Sequence, residues 1–205
     1  FDPDAVIQEL SASKITVFPA VPTMFMGILT HPKAKELDLR SLKFCGSGGA
    51  PLPVEIEQRF FDLTGCHLNE GWGMTETSPS GTFTPARGKR KAGSCGMPLP
   101  HVRFKMLALD GSGEEVPVGQ PGEMCIQGPN VMKGYWNNPQ ATAEAMTPDG
   151  YFKTGDLGYT LTDRQFVFQT RMGDSLRLSG FLVNPVEIEQ VVETLPGVRA
   201  CQVVG

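Results

Sequence analysis

Apolar and polar positions alternate along the first third of the chain in two different periods. Val6, Ile7 and Leu10 recur on one face after Asp2-Pro3, which predicts a short helix opening there. Residues 15–21 form a β-branched, apolar run that predicts a buried strand, and Pro22 opens a second helix carrying Met24, Phe25, Ile28 and Leu29. Residues 42–45 predict the next strand. A Gly-rich turn follows, then a helix from Pro53 with Ile56, Phe60 and Leu63 at i, i+4 and i+7. Strand–helix alternation of this kind implies a parallel sheet flanked by helices.

The period changes near Thr82. Short strands are expected at residues 102–109, 122–127 and 165–169, with turn signals at Asp110-Gly111, Pro121-Gly122 and Asp149-Gly150. Asn138-Pro139 caps a short helix over residues 140–146. This section predicts a small antiparallel or barrel-like unit. A third section starts near Arg171. There Asn184-Pro185-Val186-Glu187 resembles a capping box, and Ile188, Val191, Val192 and Leu195 form one helix face. Pro196-Gly197 stops that helix, and residues 199–204 read as a final strand. Three divisions follow: 1–82, an α/β lobe portion; 83–170, a β-rich subdomain; and 171–205, a hinge with the beginning of a further α+β domain.

Composition narrows the picture. The chain has 24 Gly and 17 Pro in 205 residues, above the usual shares of about 7% and 5%. With 40% hydrophobic residues it is nevertheless apolar enough to build a core. A net charge of −4 argues against a general polyanion binder, so no nucleic-acid partner is expected. No apolar run approaches the roughly 20 residues of a membrane span. The five cysteines, Cys45, Cys66, Cys95, Cys125 and Cys201, are widely spaced and include no C-x-x-C pair, which points to a reducing, cytoplasmic compartment. The chain opens on Phe1-Asp2-Pro3 and closes on Val203-Val204-Gly205, and it reads as a piece of a longer polypeptide.

Three short stretches carry candidate chemistry. Gly46-Ser47-Gly48-Gly49-Ala50-Pro51 lies between a strand and a helix. It is either a tight turn or a place where backbone approaches an anionic ligand closely. Gly71-Trp72-Gly73-Met74-Thr75-Glu76-Thr77 sets a hydroxyl beside a carboxylate, a pair able to hold a phosphate oxygen and Mg²⁺. Trp72, between two glycines, is either a stacking surface or a core residue. Lys153-Thr154-Gly155-Asp156-Leu157-Gly158 holds an Asp that either binds a ribose diol or satisfies its own turn. Arg171 is a further candidate partner for phosphate or ribose. The cations Arg87, Lys89, Arg90 and Lys91 read as a solvated loop, and His31, His67 and His101 show no metal spacing.

Order and spacing add what the single stretches lack. S-G-G-A-P-L at residues 47–52, G-W-G-M-T-E-T at 71–77, Y-F-K-T-G-D-L-G at 151–158 and the run R-M-G-D-S-L-R-L-S-G-F-L-V-N-P-V-E-I-E at 171–189 together resemble the adenylate-forming acyl-CoA synthetase superfamily. Gly134-Tyr135-Trp136-Asn137-Asn138-Pro139 resembles a linker of that family. The resemblance implies the end of a parallel-sheet lobe, a β-rich barrel-like subdomain and the start of an α+β C-terminal domain.

It also implies a two-step ligase reaction. A carboxylic acid, fatty or otherwise apolar, is activated with Mg-ATP to an acyl-adenylate, and the thiol of coenzyme A then displaces AMP. Gly48, Gly49, Ala50 and Pro51 would border the adenine and the acyl pocket, Glu70 would face the adenine edge, Trp72 would stack on the base, and Gly73 belongs with them among the cofactor-binding residues. The family more often has Tyr at the Trp72 position. Thr75 would bind the α-phosphate, Glu76 the Mg²⁺, and Asp156 the ribose hydroxyls beside Arg171. The hinge position is Gly173, where the family usually has Asp or Lys. The family's phosphate loop belongs before Phe1 and its adenylation Lys after Gly205, so this chain alone is expected to be inactive. Rival expectations are a fatty-acyl-AMP ligase that serves a carrier protein, a nonribosomal-peptide adenylation domain, and a silent nucleotide-binding or interaction module. The oligomeric state is left open.

Overall fold

The computed structural model describes residues 1–85, 89–173, 176–178, 181–183, 185–195, 197–198 and 201–203. Asp2 caps α1 (Pro3–Ala12) by accepting from the backbone N–H groups of Asp4 and Ala5, and α1 buries Ile7 and Leu10. β1 (Val17–Ala20), α2 (Pro22–Leu29), β2 (Phe44–Ser47), α3 (Val54–Thr64) and β3 (Leu68–Trp72) follow in strict alternation. β1, β2 and β3 pair in parallel, Cys45 lying opposite Phe18 on one side and Leu68 on the other. Gly65, at φ 73°, ends α3 in the left-handed region that glycine enters without strain. A line of edge-to-face rings, Phe18–Phe25–Phe60, with centroids 5.7 and 5.1 Å apart, runs through this first core.

The first sheet does not stop at Thr82. β4 (Thr82–Phe83) pairs antiparallel with β3, and β5 (Met97–Pro98) with β4, so the sheet has five strands in the order β1-β2-β3-β4-β5. A second, wholly antiparallel sheet holds β6 (Arg103–Leu107), β7 (Gly122–Gln127), β8 (Phe152–Thr160) and β9 (Phe166–Arg171) in that order. α4 (Pro139–Glu144) sits between β7 and β8, capped by Asn138. Of the two forms expected for this section, the open antiparallel sheet is the one found; its strands do not close into a barrel. Met124 and Ile126 of β7 face the second core with Trp72, Met106, Phe152 and Phe166. Trp72 thus belongs to the first sheet by backbone and to the second core by side chain.

Two expectations are corrected. The stretch Lys153–Gly158 is not a turn but the middle of the nine-residue strand β8, with a register shift at Leu157/Gly158. Cys201–Val203 carry no strand, while residues 199, 200 and 204 of the expected final strand lie outside the described residues. Beyond β9, β10 (Leu176–Leu178) and β11 (Phe181–Val183) form a hairpin and α5 (Pro185–Glu193) follows. Asn184 of the expected capping box lies outside the described residues. Val191, expected on the packed face of α5, is 67% exposed, and Leu195 just past it is 55% exposed. Among the described residues no helix is long and apolar enough to cross a membrane.

Candidate functional site

A cleft of about 120 Å³ opens where the two sheets meet, at the carboxyl ends of β2 and β3. Parallel strands end there in loops with no partner strand ahead of them, which is where open α/β sheets leave room for ligands. The loop after β2 contributes Gly49, Ala50 and Pro51; β3 and its exit contribute Glu70, Gly71, Trp72 and Gly73; β8 and β9 contribute Asp156, Phe168 and Arg171. Segments far apart in sequence therefore converge on one wall. Gly48 stands one residue outside the lining, where a Cβ would come 3.7 Å from the Gly71 carbonyl.

The local backbone has clear causes. Gly49 has φ 82°, the left-handed region that glycine adopts without strain. At Gly73 a Cβ would lie 1.8 Å from the Pro79 carbonyl oxygen, so only glycine lets the strand exit pass under the 79–80 backbone. Thr84 pins β3 on its far edge, its hydroxyl donating to the Glu70 carbonyl at 2.9 Å and accepting the Glu70 N–H at 3.1 Å.

Asp156 is 2% exposed and sits under Trp72, whose indole Nε1–H donates to its Oδ2 at 2.8 Å. Across the β8–β9 hairpin, Arg171 Nε lies 3.4 Å from the other carboxylate oxygen, with its side chain 58% exposed. The Thr154 hydroxyl accepts the Asp156 N–H at 3.0 Å and donates to the Met124 carbonyl at 2.6 Å, fixing the strand at its bulge. Trp72 itself is 8% exposed, packs edge-on to Phe104 at 5.6 Å and rests against Gly81, yet still lines the cleft. Trp72 is thus a core residue that also borders the cleft.

Glu70 is the cleft's titratable oddity. Burial pushes its carboxyl from 4.5 up to about 7; a backbone hydrogen bond from Leu52 pulls the other way, and the Glu57 charge raises it further. Glu57 is itself tied to Arg90, which also donates to Asn69 Oδ1 at 2.8 Å and to the Leu68 carbonyl. Arg90 of the cationic loop is therefore a brace for β3 rather than a free cation.

Thr75 and Glu76 lie beside the cleft and not in its lining. They form a 3₁₀ turn, Thr75–Thr77, in which Thr75 is exposed, Glu76 half-buried and Thr77 buried. The Tyr135 hydroxyl donates to Glu76 Oε1 at 3.1 Å; partial burial, then this hydrogen bond and the Glu76 charge, hold the phenol above its ordinary range. Among the described residues no group of three His, Cys, Asp or Glu gathers as a metal cage. Gly173 follows β9 in an exposed turn, with open space where a Cβ would project. Sequence reasoning missed Cys95 and Phe168 in the lining and Asn130 and Tyr135 behind the turn. Phe168 carried only the signal of strand alternation; Tyr135 was visible only as part of a linker motif.

A cleft at the ends of parallel strands, floored by a carboxylate and walled by glycine-rich loops, is the ligand-binding position of an α/β lobe. The AMP-binding enzyme family matches residues 1–136, and this chain belongs to that family. It is 40% identical over its full length to a feruloyl-CoA synthase from Amycolatopsis sp, and 38% identical to a long-chain-fatty-acid–CoA ligase from Bacillus subtilis. It covers 41% and 36% of those two proteins, so it spans about two-fifths of the length of the curated relatives it matches. The crystal structure of ATP-bound MatB from Rhodopseudomonas palustris superposes with a TM-score of 0.90 at 35% identity, covering all of this chain and 40% of that one.

Proposed function

We propose that this chain is the central, nucleotide-holding part of an AMP-forming acid–thiol ligase, in which residues 1–82, 83–170 and 171–205 serve as lobe, β-rich subdomain and hinge region. The enzyme would couple a carboxylic acid to AMP at the expense of Mg-ATP and then pass the acyl group to the thiol of coenzyme A. One observation carries this reading: eight of the ten residues assigned to the nucleotide, all but Gly48 and Thr75, line a single cleft. The relatives named as CoA ligases and the ATP-bound neighbour support it.

In this reading Trp72 offers its ring to the base while Glu70 faces the base edge, and Gly48, Gly49, Ala50, Pro51 and Gly73 let backbone close on the ligand. Asp156 accepts from the ribose hydroxyls; Arg171 holds the carboxylate in place and offers its exposed guanidinium to the ligand. Thr75 donates to the α-phosphate. The donors at the turn suit magnesium, since a half-buried carboxylate beside an exposed hydroxyl is a hard-oxygen set of the kind that shares the ion with phosphates. Glu76 would hold Mg²⁺, which neutralises phosphate charge when bound. Phosphoryl chemistry of this sort depends on positioning and charge neutralisation. The acid is proposed to be fatty; the feruloyl-CoA relative, at comparable identity, makes an aromatic acid the second reading.

Calorimetry of AMP binding to the full-length protein tests the ribose assignment. Asp156→Asn, which keeps an acceptor for the Trp72 indole, and Asp156→Ala should both weaken AMP about ten- to a hundredfold, as expected for losing hydrogen bonds to a charged group. Unchanged affinity in a folded variant would overturn the assignment. Mass spectrometry over a panel of fatty and aromatic acids with Mg-ATP and CoA then decides the acid: acyl-CoA supports the ligase, and acyl-AMP alone redirects the reading to a carrier-protein acceptor.

A further inference from the structure

We propose that Tyr135 is a positioning residue for the Glu76 carboxylate, presented by a loop, residues 128–135, that clamps the Thr75–Thr77 turn. The inference rests on the reading of Glu76 as the magnesium carboxylate.

Three hydrogen bonds join this loop to the turn, and a fourth reaches Ser80 just beyond it. Asn130 Nδ2 donates to the Thr77 carbonyl at 3.1 Å and to the Ser80 carbonyl at 2.6 Å. The Met132 N–H donates to the Glu76 carbonyl at 2.8 Å, and the Tyr135 hydroxyl to Glu76 Oε1 at 3.1 Å. Ser78, between the two carbonyls that Asn130 bridges, has φ 53°, an uncommon conformation for a residue with a Cβ. Such backbone persists when its surroundings over-determine it, and Asn130 supplies that restraint.

Tyr135 is itself anchored. Its N–H donates to the Thr142 hydroxyl at 2.9 Å, and that hydroxyl donates to the Asn138 carbonyl at 2.9 Å. Gly134, at φ 153°, passes so close to Thr142 that a Cβ would sit 2.8 Å from its methyl group. The phenol is thus held on α4 and aimed at the turn. By occupying Oε1 it selects one rotamer of a half-exposed Glu and leaves Oε2 for a cation. A ligand held this way binds its ion without first losing side-chain freedom.

The test compares Tyr135→Phe and Glu76→Gln in the full-length protein, reading the Mg²⁺ concentration that half-saturates acyl-AMP formation. Tyr135→Phe should raise it about three- to tenfold, the size of one exposed hydrogen bond to a charged group, with KM for the acid unchanged. A second readout needs no turnover. In protein labelled with ¹³C at tyrosine Cζ, adding Mg²⁺ to the ATP complex without acid should move the resonance that Glu76→Gln displaces. That readout decides the question if Tyr135→Phe fails to fold. A raised Mg²⁺ requirement in Glu76→Gln with an unaltered one in folded Tyr135→Phe overturns the role of Tyr135 alone. An unaltered requirement in Glu76→Gln overturns the reading of Glu76, and this inference with it.

Discussion

Replacing Trp72 with Phe removes one buried hydrogen bond and keeps an aromatic ring. The indole N–H reaches Asp156 Oδ2 at 2.8 Å, and the two residues are 8% and 2% exposed. A hydrogen bond to a charged acceptor contributes about 1.5–3 kcal/mol. The smaller ring also opens a void beside Gly81, where the indole packs so closely that a Cβ would meet it at 2.5 Å; that adds about 1 kcal/mol. Against this, Asp156 keeps Arg171 at 3.4 Å, and since that guanidinium is 58% exposed the pair offsets little of the loss. The expected destabilisation is about 2–4 kcal/mol. Urea unfolding followed by circular dichroism should show it as a lowered midpoint at unchanged slope. A double-mutant cycle with Asp156→Ala, which removes the acceptor, isolates the pair and should return a coupling of about 1 kcal/mol or more. A stability loss under about 0.5 kcal/mol, or zero coupling, would refute the argument that this bond ties the two sheets across the cleft.

Glu70 gives a pH signature. Its folded pKa of about 7 lies above the ordinary 4.5, so between those values the folded protein holds a proton that the unfolded chain releases. Stability from this group should fall as pH rises from about 4.5 to 7, and Glu70→Gln should flatten that slope in a series of denaturation midpoints. Gly73→Ala should destabilise by about 2–3 kcal/mol, because the obstacle is Pro79 backbone and not a side chain that can swing away; a neutral result by thermal unfolding would count against that close approach. Phe60→Ala, at the fully buried end of the ring line, should lose about 3–5 kcal/mol in the same assay. Gly173→Ala meets open space and should leave stability within about 0.5 kcal/mol. If Gly173 is the hinge, single-turnover kinetics should nonetheless show slower acyl transfer to CoA with adenylation unaltered.

The elements legible in the sequence were those with a clean period. The strand expected at residues 122–127 is β7, residue for residue, and α1, α2 and α3 carry the apolar faces that predicted them. β8 escaped notice because its glycines look like turn residues. In the fold they serve a strand: Gly155 takes φ 70°, and at Gly158 a Cβ would lie 2.4 Å from the Val167 carbonyl across the hairpin. β4 and β5, two residues each, are too short to show any alternation. In α5 the apolar periodicity was legible, but Val191 is exposed, since periodicity marks a face without stating what covers it.

The sequence alone determined which residue types were available for chemistry, and, through the order of four motifs, the family to which they belong. It could not say that Trp72 and Asp156, 84 positions apart, are hydrogen-bonded, or that Glu76 has Tyr135 as its partner 59 positions on. Those facts depend on how the two sheets meet, and that meeting is set by shared side-chain burial around Trp72, a non-directional force with no signature in local pattern. The same packing removes Glu70 from water and shifts its proton affinity. Local sequence supplied the donors and acceptors; tertiary burial decided which of them face each other and how strongly.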